Sequence, residues 1–170
     1  MNKLPLNASD VTDKTEPAKQ FLEDAVFLFE ARARRSVECV LGASTRVARA
    51  FSVAPVLVNT FSVSGIIQAG NPDFVAAVIS GANAPDLDEL IPSVDDMDMR
   101  LDAIGEITHV LAGNLLSHPY CLSRLGVMSP SLPVFVHGGT TIRKSWCIQG
   151  TLLVNSVKLF IGFAVERTAK

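Results

Sequence analysis

Cysteine is scarce and scattered. Cys39, Cys121 and Cys147 stand singly, with no CxxC and no pair at metal-ligand spacing. That excludes a disulfide framework or a zinc ribbon as the organising device, and suits a reducing, cytoplasmic compartment. Histidine is equally sparse, and His109, His118 and His137 lack any ligand spacing, so no metal site is expected. Neither sign of charge dominates: 15 Lys and Arg face 17 Asp and Glu, for a net charge of -2. No global field therefore attracts nucleic acid or an anionic membrane. The first twenty residues mix Lys3, Asp10, Asp13, Lys14 and Glu16 with Pro5 and Pro17, and lack the continuous apolar run of a signal peptide.

The longest stretch free of Asp, Glu, Lys and Arg runs from Ala50 to Pro72. Ser52, Pro55, Asn59, Ser62, Ser64, Gly65 and Gln68 interrupt it, so it reads as paired strands and no membrane span is expected. At 170 residues and 48% apolar content the chain buries one core and is too short for two ordinary domains. Residues 1–17, polar and proline-marked, read as a flexible leader, and 18–170 as a single domain.

Apolar spacing predicts a long helix from Ala18 to about Leu41, stopped by Gly42. Strands are expected over Val47 to Val53 and Val56 to Val63, the second ending at a Ser64-Gly65 turn. A further run over Gly65 to Ala69 leads to Asn71-Pro72, where Asn caps and Pro opens a short helix through about Ile79. Seven carboxylates then lie between Asp86 and Asp102 against the single Arg100. They lack the glycine and terminal glutamate of an EF-hand loop and read as a solvated linker and acidic helix start. Ser93 and Asp96 resemble a capping pair for a second long helix from about Val94 to Ser117. His118 reads as a helix-end residue favoured by the C-terminal dipole, and His137 as a strand end before Gly138-Gly139. Leu132 to His137, Arg143 to Val154 and Val157 to Arg167 read as strands, the last two joined by an Asn155-Ser156 hairpin turn. The fold class is α+β, with long helices packed on an antiparallel sheet.

The second long helix carries the functional signal. At about 100° per residue, Asp102, Glu106, His109, Gly113 and Ser117 fall within an arc of about 80°. Leu101, Ala103, Ile104, Ile107, Val110, Leu111, Ala112 and Leu115 occupy most of the remaining circumference, with Thr108 and Asn114 between them. Such a helix is covered almost all round, and its polar stripe is a slot in the surface. Glu106 and His109, three apart, face one partner together, while Gly113 leaves room for an approaching backbone. A buried helix that needs one wet edge accounts for the same stripe without any partner.

The run Asp102-Ala-Ile-Gly-Glu106-Ile-Thr-His109, followed by Val-Leu-Ala-Gly-Asn, resembles the signature helix of the CheX/CheC chemotaxis phosphatases. In that pattern Asp or Ser, three residues, Glu, two residues and Asn precede a proline roughly twenty residues later. Asp102 and Glu106 match, and His109 stands at the asparagine position. The proline spacing falls on Ser131, so the proline is present but displaced, to either Pro133 or Pro130. A single signature helix makes the chain similar to CheX rather than CheC.

The resemblance implies a CheC-like fold and a phosphorylated receiver domain of the CheY type as partner. It further implies hydrolysis of the receiver's aspartyl phosphate, with Glu106 pairing with the receiver's lysine and the residue at position 109 holding the attacking water. Asp102, Gly113 and Pro133 would flank the docked receiver. Magnesium would belong to the receiver, so no cofactor is expected in this chain. Pairing of two copies through sheet edges is implied as well. Neutral imidazole offers one donor and one acceptor, so His109 is compatible with a variant route of catalysis; a non-catalytic binding or adaptor module is the alternative. Asn114 lies about 140° around the helix from His109 and is not expected to reach the same partner.

Overall fold

A computed structural model describes residues 16–92, 96–143 and 146–168. Helix α1 spans Glu16–Leu41, and Gly42, at φ 64°, adopts the left-handed turn that ends it. Strands β1 (Thr45–Ala54), β2 (Leu57–Asn59), β3 (Val63–Gly70) and β4 (Phe74–Ala82) follow. A 3-10 turn over Ala84–Asp86 leads into the one-turn α2 (Leu87–Leu90), then α3 (Met97–Leu116) and α4 (Pro119–Leu125). The chain closes with β5 (Ser129–Pro130), β6 (Val134–His137), β7 (Thr140–Ile142), β8 (Trp146–Val154) and β9 (Val157–Arg167).

Antiparallel pairing orders the main sheet β1-β8-β9-β4-β3, with β5 and β6 both against the outer edge of β3. Its centre is the β4–β9 pair, in register from Phe74 opposite Arg167 to Gly81 opposite Phe160. One sheet face carries α1 and α3. Phe29 of α1 stacks on Phe163 at 5.9 Å between ring centroids and meets Phe51 edge-on at 5.5 Å. The other face is covered by the ribbon of β2 and β7, which buries Leu57 against Ala77, Ile79, Cys147, Phe160 and Ala164. The α+β class, with helices on an antiparallel sheet, is as expected.

Two local expectations are corrected. Ser64-Gly65 is not a turn but lies inside β3, where Ser64 pairs with Gly81 and Gly65 with Ser80. Residues 74–79 are not a helix: the apolar run Phe74-Val-Ala-Ala-Val-Ile forms β4, hydrogen-bonded on both edges. Asn71 does not cap a helix there but closes the tight β3–β4 turn, its Oδ1 accepting from the backbone N–H of Asp73 (2.9 Å) and Phe74 (2.8 Å). The Asn155-Ser156 hairpin is present, with Asn155 at φ 54°. Ser93 and Val94, the expected start of the second long helix, lie outside the described residues. That helix is described from Met97, with Asp96 Oδ1 accepting from Asp98 N–H at 2.9 Å as its N-cap. Residues 1–15 of the expected leader also lie outside the described residues.

Candidate functional site

Helix α3 is positioned from its buried side. Gly65 of β3 lies so close that a Cβ there would sit 2.7 Å from Thr108 Oγ1 and 3.3 Å from Gly105 Cα. The helix backbone thus rests almost directly on the strand. The fully buried hydroxyls of Ser80 and Thr108 are 2.6 Å apart, and both reach the Ile104 carbonyl, at 3.0 and 2.8 Å. One hydroxyl donates to that carbonyl and the other donates to the first, so both of these buried hydroxyls have a partner. Further along, Asn114 Nδ2 donates to Ser36 Oγ of α1 at 3.1 Å. Asn114 therefore points at α1 and away from His109, as its helical angle requires. Ile104, Ile107, Leu111 and Leu115 complete the buried face.

This anchoring fixes the helix rotation and leaves the opposite edge free. Asp102, Glu106, His109, Gly113 and Ser117 are all exposed, each about one turn from the next. The side chains of Asp102, Glu106 and His109 hydrogen-bond to none of the described residues, and no element of this chain lies over them. Ser117 donates to the Gly113 carbonyl at 2.6 Å and ends the stripe. A Cβ added at Gly113 would have nothing within 4 Å, so the surface there is open. A cover supplied by the protein's own loops, which would have made the stripe a mere wet edge, is absent among the described residues.

Pro133, which the resemblance implies borders the partner, is half-buried just before β6, two residues ahead of Phe135. The ring of Phe135 lies against Gly105, where an added Cβ would come within 2.7 Å of its Cζ. Phe135 is 38% exposed and forms an apolar shoulder along one side of the stripe, and Met99, 57% exposed, stands about two turns before Glu106. Neither residue was singled out by the sequence. Their signal is weak, since the contact of Phe135 with Gly105 joins an edge strand to a helix thirty positions away in the chain.

His118 requires a correction. Its Nδ1 accepts from Tyr120 N–H at 3.2 Å, making it the N-cap of α4 rather than a residue serving the C-terminus of α3. The acidic segment is divided among separate structural tasks: Asp86 accepts from Asn83 at 3.1 Å, Asp88 pairs with Arg100, Glu89 accepts from Ser156, and Asp96 caps α3. Among the described residues no group of three His, Cys, Asp or Glu side chains is arranged to hold a metal ion. Likewise, no described helix is long and apolar enough to cross a membrane. Arg34, read from sequence as part of a solvated face, instead donates to Thr45 Oγ1 and its carbonyl, both at 3.2 Å.

No protein-family model matches this chain, and no curated sequence does. Solved structures do. The chemotaxis protein CheX from Desulfovibrio desulfuricans superposes with a TM-score of 0.65 at 18% identity, over 84% of this chain and 99% of that one. The chemotaxis protein CheX from Vibrio vulnificus gives 0.65 at 17% identity, over 81% and 96%. The chain has the CheX/CheC fold. A chain of the CheX–CheY–BeF3–Mg complex from Borrelia burgdorferi also superposes, with a TM-score of 0.57 at 14% identity, over 81% of this chain and 95% of that one. At these identities the CheX/CheC likeness is one of architecture.

Proposed function

We propose that this protein is a CheX-like chemotaxis protein that acts on a phosphorylated receiver domain of the CheY type. The observation that carries this reading is the exposed stripe Asp102-Glu106-His109-Gly113, whose three side chains have no partner among the described residues, on a helix whose opposite face is buried. Its support is the fold shared with a chain of a CheX–CheY complex. Hydrolysis of an aspartyl phosphate needs a water placed in line with the breaking P–O bond and groups arranged around the phosphoryl oxygens, more than covalent help. In this reading Glu106 accepts the receiver's active-site lysine and fixes the docked orientation. His109, about one turn along the same edge, meets the phosphoryl group and orients the attacking water through its ring nitrogens. The water oxygen bonds to phosphorus, the receiver's aspartate leaves as carboxylate, and the magnesium ion is the receiver's. Asp102, Gly113 and Pro133 border the docked partner, and Phe135 gives it an apolar contact.

A second reading rests on His109. An imidazole is wider than the amide found at this place in the resembled family, and its nitrogens point in fixed directions. A protein that docks the receiver through Glu106 without turning over its phosphate is the outcome if that ring cannot hold the water. Both readings place the protein in the cytoplasm, and pairing of two copies through an exposed sheet edge, β1 or β6, is a further part of the proposal.

Loss of phosphate from a labelled cognate receiver separates the two, measured with wild type, Glu106→Ala and His109→Asn. The catalytic reading expects faster decay with wild type and a return to the receiver's own rate with Glu106→Ala. If wild type is inert and His109→Asn is active, the binding reading stands. Unchanged decay and no binding of any of the three proteins to any receiver would remove both.

A further inference from the structure

A second site lies away from the α3 stripe, at the end of the sheet where β4 begins and β9 finishes. Phe74 pairs there with Arg167. Along β9, Leu159, Ile161, Phe163 and Val165 are buried in the helix-side core, so strand alternation sends Arg167 to that same side. Ala76 and Val78 place Phe74 there by the same argument. The N-terminal turns of α1 and the last turn of α4 meet above this corner. Phe21 of α1 stacks on Tyr120 of α4, with ring centroids 5.5 Å apart and planes inclined by 11°. The Tyr120 hydroxyl donates to the Phe21 carbonyl at 3.4 Å. Arg124, one turn beyond Tyr120, holds its guanidinium 6.0 Å from the centre of that ring.

At this corner lies a partly open cleft of about 270 Å³ with apolar lining from Phe21, Phe74 and Leu125 and charged lining from Asp24 and from the exposed Arg124 and Arg167. Asp24 is engaged along its own helix, accepting from Gln20 Nε2 at 3.0 Å. Among the described residues no carboxylate lies within ion-pair distance of Arg124 or Arg167. The cleft thus joins an aromatic wall to two guanidiniums that carry no protein anion, one of them held in place by the ring it covers. We propose that it binds a small organic anion, a carboxylate or phosphate borne on an apolar body about the size of one aromatic ring. The volume, just below the ~300 Å³ at which ordinary small-molecule pockets begin, suits such a ligand and excludes a nucleotide. Two forked donors in the lining match a planar or tetrahedral oxyanion, and Phe21, Phe74 and Leu125 match the body. Thr108 touches Ser80 on β4, six strand positions from Phe74, which sets the cleft roughly 20 Å from the middle of α3. It is independent of the receiver reading.

The test uses the full chain and amide NMR titrations with benzoate, phenyl phosphate, inorganic phosphate and the neutral benzamide. Saturable shifts confined to residues around Phe21, Phe74 and Leu125 are expected with benzoate or phenyl phosphate, and none with benzamide; which of the two anions binds tighter identifies the headgroup. Arg124→Gln and Arg167→Gln, surface changes that leave the core intact, should each weaken binding roughly tenfold, whereas Glu106→Ala should leave it unchanged. Absence of saturable shifts with either aromatic anion overturns the proposal. So does binding of benzamide as tight as that of benzoate, wild-type affinity in both arginine variants, or binding of inorganic phosphate alone as tightly as phenyl phosphate.

Discussion

The two sides of α3 are built on opposite principles. On the inner side every polar atom is answered: Thr108 and Ser80 share the Ile104 carbonyl, Asn114 meets Ser36, and the backbone rests on Gly65 with no space to spare. On the outer side Asp102, Glu106 and His109 hydrogen-bond to none of the described residues, and Gly113 opens onto free surface. The inner side determines where the helix sits and how it is rotated; the outer side inherits a fixed geometry at no cost in packing. Rigid backing with unsatisfied, exposed side chains is what a docking surface requires, because a partner then meets groups already held at their spacing.

Substitutions that respect or violate this division should behave differently. The largest effect is expected from Ile107→Ala, which opens a cavity beneath the helix and should cost about 2–5 kcal/mol in chemical denaturation. Gly65→Ala should follow, at about 1–3 kcal/mol, since its Cβ meets Thr108 and the Gly105 backbone, neither of which yields easily. Thr108→Val keeps the volume but removes one of the two hydroxyls at the Ile104 carbonyl, and should cost about 1–2 kcal/mol by the same measurement. At the outer side the sign reverses. Gly113→Ala should raise stability by about 0.5–1 kcal/mol, as expected for alanine in place of glycine in a helix, while weakening the proposed receiver binding by adding a methyl group to the docking edge. A neutral or destabilising Gly113→Ala would mean that the outer side is not as open as described.

The same division explains what the sequence revealed. The stripe was readable because helical periodicity alone decides which residues share a face, and the exposed positions are the ones that periodicity selects. The β9 strand and its Asn155-Ser156 turn were readable because turn chemistry and strand composition agree there. Asn71-Pro72 misled, since an asparagine side chain that can accept from N–H groups two and three residues on serves a helix cap and a tight turn equally well. What decides between them is pairing of Phe74–Ala82 with strands on both sides, and β9 is eighty residues away in the chain. His118 misled for a related reason: Pro119 ends one helix and opens another, and local sequence does not say which of the two the imidazole serves. Phe135 was invisible because its value lies in resting on Gly105, a contact between elements that no local pattern records.

The proposed receiver-docking surface is the outer edge of α3, held by a structure that does not depend on it. Titration of a beryllofluoride-treated cognate receiver into wild type and Glu106→Ala, alongside denaturant unfolding of both, tests it most directly. Saturable binding by wild type is expected, with at least roughly tenfold weaker binding by Glu106→Ala and unfolding midpoints that coincide because Glu106 has no partner within the described residues. Equal receiver affinity of the two proteins, or a large loss of stability in Glu106→Ala, would contradict it.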